Sequence, residues 1–375
     1  MKNKLLISSA LAGSLMFAGV SANAQTTVSG NLNVSYKAVA VNNSKADSFG
    51  IVGKESQINL QTKGKLNNGM DYAAGFSLEY DGTDNSGSYA STATDYNGGS
   101  TTGNYNGTHL ENNYIDLISG NTTISFSIDH FQNSDFTIAN KVGFADPEDM
   151  AAGIQNGASG AVALKTPLFI SNTNSAYQYW GIGVAQKTDV GTFGILYNPN
   201  ASTNTMNDIG NGSTKRMDNA NSKYELSFRG DLGVKGLDAF AFYNNQASDT
   251  PGTTGSSNDI TGERYGFAYN FGTVTVAAER ARTNAKTDLA ITSDALGISF
   301  AATKDLSVGY THAKSKTGAS VVSGSTYGDE TIKMVSVGYS LGAITTGIQF
   351  AKVDNMAGIS TNDGDSALAY IRLGF

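Results

Sequence analysis

The sequence contains no cysteine, which excludes disulfide staples, thiol nucleophiles and cysteine metal sites together. Histidine is nearly as scarce, with 3 residues in the chain, so few imidazoles are available for acid–base work. Beyond the N-terminal segment, no apolar run approaches the 18 or so residues of a membrane helix. Basic residues are also outnumbered, 25 against 32 acidic, giving a formal net charge of −7. That balance argues against nucleic acid as a partner, because a phosphate backbone demands a basic patch. No Walker loop, EF-hand spacing or metal-spaced His/Cys set occurs, so neither a cofactor nor a metal is expected.

What is present begins with an export signal. Lys2 and Lys4 precede the apolar run from Leu5 to Val20, and Ala22-Asn23-Ala24 follows as a small-residue cleavage motif. Residues 1–24 therefore read as a secretory leader and 25–375 as the mature domain, which is more negative once those two lysines are removed. No Pro-rich or Ser-rich linker divides two compositions, and all-β domains often exceed the usual size, so a single domain is expected. The missing membrane helix does not imply a soluble protein. A closed barrel also satisfies every backbone group inside a bilayer, because closure removes the sheet edges.

In the first mature run, Val28, Leu32, Val34 and Tyr36 share one parity, while Ser29, Asn31, Asn33, Ser35 and Lys37 share the other. Such alternation predicts a strand with one apolar and one polar face. It suits a soluble sandwich or a membrane barrel equally, and the connections decide between them. Very short links fall at 66–69, 119–121, 188–191, 231–236, 270–272, 303–305 and 341–343. They alternate with longer ones near 41–53, 81–108, 132–175, 199–221, 248–261, 283–292, 315–329 and 354–365. Short links on one side and long links on the other predict a transmembrane antiparallel β-barrel of about 16 strands. Outward-facing Tyr72, Phe193, Phe228, Phe271, Phe300, Tyr339 and Phe375 then fall near the short-turn side, as an aromatic girdle requires.

The same parity turns Lys37, Lys63, Lys65, Lys223, Arg229, Arg264 and Arg372 toward the lumen, together with Glu79, Asp116, Asp129, Glu225 and Glu279. A lipid-facing Lys or Arg at the midplane would cost about 2–4 kcal/mol. Arg280, Arg282, Lys333 and Lys352 break the parity but lie near the long-link side, where long side chains snorkel to the interface. The longest distinctive link, Gln132 to Ser175, carries Asp146-Pro147-Glu148-Asp149. That run predicts a short helix with Asp146 as N-cap and acids in the first turn. Helix capping explains those acids without a bound divalent cation, and a solvated surface helix is the plain alternative to a functional one.

The terminal run Ala367 to Phe375, ending on an aromatic, resembles the last strand of the trimeric general porins of Gram-negative outer membranes. Asn113-Tyr114-Ile115-Asp116-Leu117-Ile118-Ser119-Gly120 is similar to that family's strand-and-turn segment. The resemblance implies a water-filled channel for ions and small hydrophilic solutes, seated in outer-membrane lipid as a homotrimer, with Phe375 as the barrel assembly signal. It further implies a third long loop folded into the lumen, with Asp135, Asp146, Glu148 and Asp149 as the acidic side of a constriction and Lys141 and Lys165 beside them. The Ser-, Gly- and Asn-rich link 81–108 would latch onto a neighbouring subunit. One departure is that Ser127-Ile128-Asp129-His130 stands where many members carry Gly-Arg, so one basic residue of the expected opposing cluster is missing.

A charge about 8 Å from a passing monovalent ion in water contributes about 0.5 kcal/mol before screening, enough to bias permeation but not to exclude one sign. The acidic balance therefore implies a mild cation preference. Three rivals stand beside this reading: a substrate-selective channel, a barrel enzyme, and a secreted adhesin or solenoid. Solenoids need a fixed repeat that these uneven hairpins lack. His109, His130 and His312 lie far apart in the chain, and neighbours such as Asp129 and His130 would point to opposite faces of a strand.

Overall fold

In the structure, a computed structural model, the described residues are 25–41, 48–53, 56–80, 109–128, 130–131, 180–198, 222–246, 260–285, 291–317, 329–356 and 363–375. The leader expected at 1–24 lies outside them. The first strands are β1 (Gln25–Val41), β2 (Ser48–Gly53), β3 (Ser56–Lys65), β4 (Asp71–Tyr80), β5 (His109–Ser119) and β6 (Thr122–Ile128). They are followed by β7 (Gly181–Thr188), β8 (Gly191–Asn198), β9 (Lys223–Gly230), β10 (Leu237–Gln246), β11 (Ile260–Asn270) and β12 (Val274–Ala285). The last are β13 (Ile291–Ala301), β14 (Leu306–Thr317), β15 (Glu330–Leu341), β16 (Ile344–Asp354) and β17 (Gly364–Gly374).

Every pairing is antiparallel, and each strand from β3 onward pairs with the next in sequence. The ring closes because β1 pairs with β17 on one side and with β2 and β3 on the other. Since β2 and β3 occupy successive stretches of the same edge of β1, they form one wall strand, and the barrel has 16 strands. Closure extends to the final residue: Gly30 N–H donates to the Phe375 carbonyl at 2.8 Å, and Phe375 N–H donates to the Gly30 carbonyl at 3.0 Å. Gly30 has no side chain for a reason. A Cβ there would crowd the Gln57 carbonyl oxygen and lie 2.8 Å from the Phe375 ring.

All seven short links join adjacent strands, and local polar chemistry closes several of them. Asn68 Oδ1 accepts from Met70 N–H at 3.1 Å, leaving Gly69 at φ 85°, and Asn270 Oδ1 accepts from Gly272 N–H at 2.9 Å, with Gly272 at φ 101°. These are side-chain-closed turns in which glycine takes the left-handed position that a Cβ would penalise. Thr303 Oγ1 accepts from the backbone of Asp305 and Leu306 in the same manner.

The expected long link at 41–53 is too long. Ser48–Gly53 is a strand that pairs with Val34–Val39 of β1, because this upper part of β1 offers free backbone groups that an added strand satisfies. Its Gly50 and Gly53 blur the alternation by which a strand is recognised. Likewise β12 runs on to Ala285 and β14 to Thr317, which shortens the links expected at 283–292 and 315–329.

Polarity is inverted relative to a soluble barrel. Leu32, Val34, Ile115, Ile195, Leu296, Val335, Phe350 and Ile371 are exposed on the outer face, Leu296 by 62%, whereas Ser35, Ser125, Asn244 and Gln349 are buried on the inner one. Of the girdle residues expected near the turns, Phe193, Phe271, Phe300 and Tyr339 are exposed outward, and Phe193 packs against Phe228 at a centroid distance of 4.9 Å. A second set nearer the long links, Tyr36, Tyr197 and Tyr224, is also outward. Two such belts at the headgroup levels are what a bilayer selects for.

Candidate functional site

The lumen wall is the candidate site, and strand parity decides which residues reach it. Lys37, Lys63, Glu79, Asp116, Lys223, Glu225, Arg229, Arg264, Glu279 and Arg372 all stand on the inner parity of their strands, opposite to the exposed apolar neighbours. Lys65 does too. Asp129 and the constriction candidates Asp135, Lys141, Asp146, Glu148, Asp149 and Lys165 lie outside the described residues.

Most of the inner charges have partners across the wall. Arg264 Nη2 donates to Glu279 Oε2 at 3.1 Å, with side-chain exposures of 0% and 3%. The guanidinium also lies 5.2 Å from the centroid of the Phe240 ring, at cation–π distance. The small Ala281, directly opposite Arg264 in the β11–β12 register, lets the long side chain lean toward Glu279. Nearer the turns, Arg229 grips Asp238 with two donors at 3.2 and 3.1 Å, and Lys65 meets Asp71 at 2.7 Å in an exposed pair. Lys223 and Glu225 follow one another on the same face of β9, both fully buried. Opposite charges so close together present a weak field to an ion in mid-lumen. Among the described residues no cluster of three or more His, Asp or Glu side chains is placed to hold a metal ion.

A second group gathers where the chain leaves β6. Parity within a strand would turn His130 away from the lumen, but β6 ends at Ile128 and the rule ends with it. The His130 ring instead stacks flat on Tyr114 at 3.5 Å between centroids, and its Nε2 meets Asp116 Oδ2 at 3.1 Å. The next residue goes the same way. Phe131 is buried in a small cluster with Leu196 on the inner wall, over Gly183, where an added Cβ would meet the ring at 2.5 Å. The sequence held one faint signal of this, the glycines at 181 and 183 on the inner parity of β7, which leave a hollow.

The remaining wall divides into two arcs. On β3 to β6 it is polar: Gln57 donates to Asn59 at 3.0 Å, Ser77 to the same Asn59 oxygen at 2.5 Å, and Asn112 to Ser77 at 3.2 Å. Asn112 sits at φ 50° where the β4–β5 register shifts, a bulge that turns its amide inward and that asparagine tolerates better than most residues. On β14 to β17 and β1 the upper wall is apolar, with Ala313, Ile332, Met334, Val353, Leu368 and Val39 buried together. In a 16-stranded ring, wall side chains with an empty lumen in front of them would be wet. Both this arc and the Lys223 to Arg264 arc are buried.

A closed ring of 16 antiparallel strands with an apolar exterior and a polar interior is a transmembrane β-barrel of the outer-membrane, porin-like kind. No family model and no curated protein matches the chain. Solved structures do match its fold. The anion-selective porin from Comamonas acidovorans aligns over 94% of this chain and 100% of its own, with a TM-score of 0.64 and 13% identity. The outer membrane channel DcaP of Acinetobacter baumannii aligns over 95% and 98%, with a TM-score of 0.60 and 9% identity. OmpT of Vibrio cholerae in a trimer form aligns over 94% and 100%, with a TM-score of 0.56 and 12% identity. At these identities the likeness concerns the fold.

Proposed function

We propose that the chain is an outer-membrane porin, a water-filled channel for passive diffusion of ions and small hydrophilic solutes with a mild cation preference. The inverted polarity of a 16-stranded ring carries the reading, because barrels of that size enclose an aqueous passage rather than a packed core. The inward turn at His130 and Phe131 supports a third long loop that enters the lumen. Asp135, Asp146, Glu148 and Asp149 would then form its acidic rim with Lys141 and Lys165 nearby. Since the described wall charges largely pair, any cation preference rests on that loop and on the overall charge of −7. Reversal potentials across a salt gradient test it: a cation-side shift is expected, and anion selectivity overturns the preference.

A substrate-selective channel is the second reading, favoured by the apolar arc around Met334 and Val353, which a purely aqueous passage does not require. Saturable block of conductance by one solute at low concentration would decide for it. A hydrolase is not our reading. Among the described residues Asp116 is the one hydrogen-bond partner of His130, so no hydroxyl nucleophile meets that imidazole, while His312 belongs to the outer parity of β14. The trimeric form of the Vibrio cholerae barrel makes a homotrimer the assembly to expect, with native mass after gentle extraction as the check.

A further inference from the structure

We infer that the outer face of β14 to β16, just above the apolar band on the long-link side, binds a phosphomonoester lipid headgroup between Lys333 and Lys352, with His312 beside them. The strand register carries this. His312 stands opposite Lys333 in the β14–β15 pair, and Lys333 stands opposite Lys352 in the β15–β16 pair. Three basic side chains thus form one row across three adjacent strands. Directly opposed side chains have Cβ atoms about 4.5–5.5 Å apart, and like charges in that relation destabilise a sheet.

Two of the neighbouring cations on this face have carboxylate partners, unlike Lys333, whereas Arg282 on β12 has none among the described residues. Arg280 meets Asp294 at 2.6 Å and Lys314 meets Asp329 at 2.7 Å. Lys333 has no carboxylate within ion-pair distance among the described residues. Lys352 has Asp354 at 3.7 Å, beyond a good hydrogen bond, and Asp365 opposite it in the β16–β17 register. Those two acids leave the Lys333 ammonium uncompensated, on the side that faces His312.

A phosphomonoester fits the gap chemically, because it brings up to two negative charges and three acceptor oxygens to two ammonium groups and a ring N–H. What makes the occupant a lipid rather than a free anion is the row beneath. Two residues nearer the turns stand Tyr310, Val335 and Phe350, opposite one another in the same registers and all exposed outward. A headgroup held by the lysines would lay its acyl chains on that apolar track. This binding needs only that the barrel spans a bilayer, so it stands apart from the channel reading.

The test uses the purified full-length barrel in detergent, with lipid retention read by native mass spectrometry. Dioleoyl phosphatidic acid should be retained at concentrations where dioleoyl phosphatidylcholine, its zwitterionic counterpart, is not. Lys333→Gln with Lys352→Gln should weaken retention by roughly 30-fold, the loss of two lysines at an anionic surface. Lys304→Gln, a turn-side lysine 88% exposed, should change nothing. If the double variant fails to fold, Lys333→Gln alone should still lose roughly fivefold. Millimolar inorganic phosphate should not displace the lipid. Equal retention of both lipids, wild-type retention by the folded variants, or displacement by inorganic phosphate overturns the inference.

Discussion

Replacing Glu279 by glutamine should destabilise the barrel more than its modest change of shape suggests. Arg264 is fully buried and donates to Glu279 at 3.1 Å, so the variant takes this carboxylate's negative charge away from a desolvated guanidinium. Removing one partner of a buried pair costs about 3–5 kcal/mol. The glutamine oxygen still accepts one hydrogen bond, and the Phe240 ring still stabilises the cation, which sets the expected loss near the lower end of that range. A double variant, Arg264→Met with Glu279→Leu, should recover most of it, since well-packed apolar side chains often replace a buried pair at little cost. The assay is urea unfolding of the barrel in lipid vesicles, followed through the fluorescence of the single tryptophan, Trp180. An unchanged midpoint for Glu279→Gln, or a double variant as weak as the single one, would refute the claim that this pair is held out of water.

Further consequences follow from other parts of the wall. Gly183→Val should expel the Phe131 ring that fills its hollow and raise single-channel conductance, whereas an unchanged conductance would detach that ring from the passage. Deleting residues 146–153 should also raise conductance in a properly folded barrel if the third loop forms the constriction. Gly30→Val crowds the Phe375 ring at the closure seam and should cost about 1–3 kcal/mol of stability, read as a lowered temperature for loss of the compact, heat-resistant gel band. His130→Ala removes the stack on Tyr114 and the contact with Asp116. It should increase the open-channel noise of single-channel recordings, and noise equal to wild type would argue against His130 as an anchor.

How much of this was legible in the sequence depends on where period-two alternation holds. Leu32, Val34 and Tyr36 lie outward and Asn31, Ser35 and Lys37 inward because the pleat alternates side chains strictly within a paired strand. The turns were equally plain, since Asn68-Gly69 and Asn270-Phe271-Gly272 carry their own closing chemistry. Where pairing stops, the rule has no force. His130 lies two residues past the end of β6, and its side chain follows stacking on Tyr114 rather than parity. Ser48–Gly53 escaped notice for a related reason, as its glycines give no alternation to read and only the free edge of β1 recruits it. Burial of Arg264 was hidden as well, because it depends on Phe240 and Glu279 on the neighbouring strands, whose contact with it parity alone does not reveal.

The central claim is that the ring encloses a continuous aqueous passage. Single-channel recording of the purified protein in a planar lipid bilayer tests it most directly. Stepwise, ohmic conductance that rises in proportion to the conductivity of the bathing salt is the expected result. Absence of conductance from a folded, inserted barrel, or conductance that saturates at low salt, would contradict it.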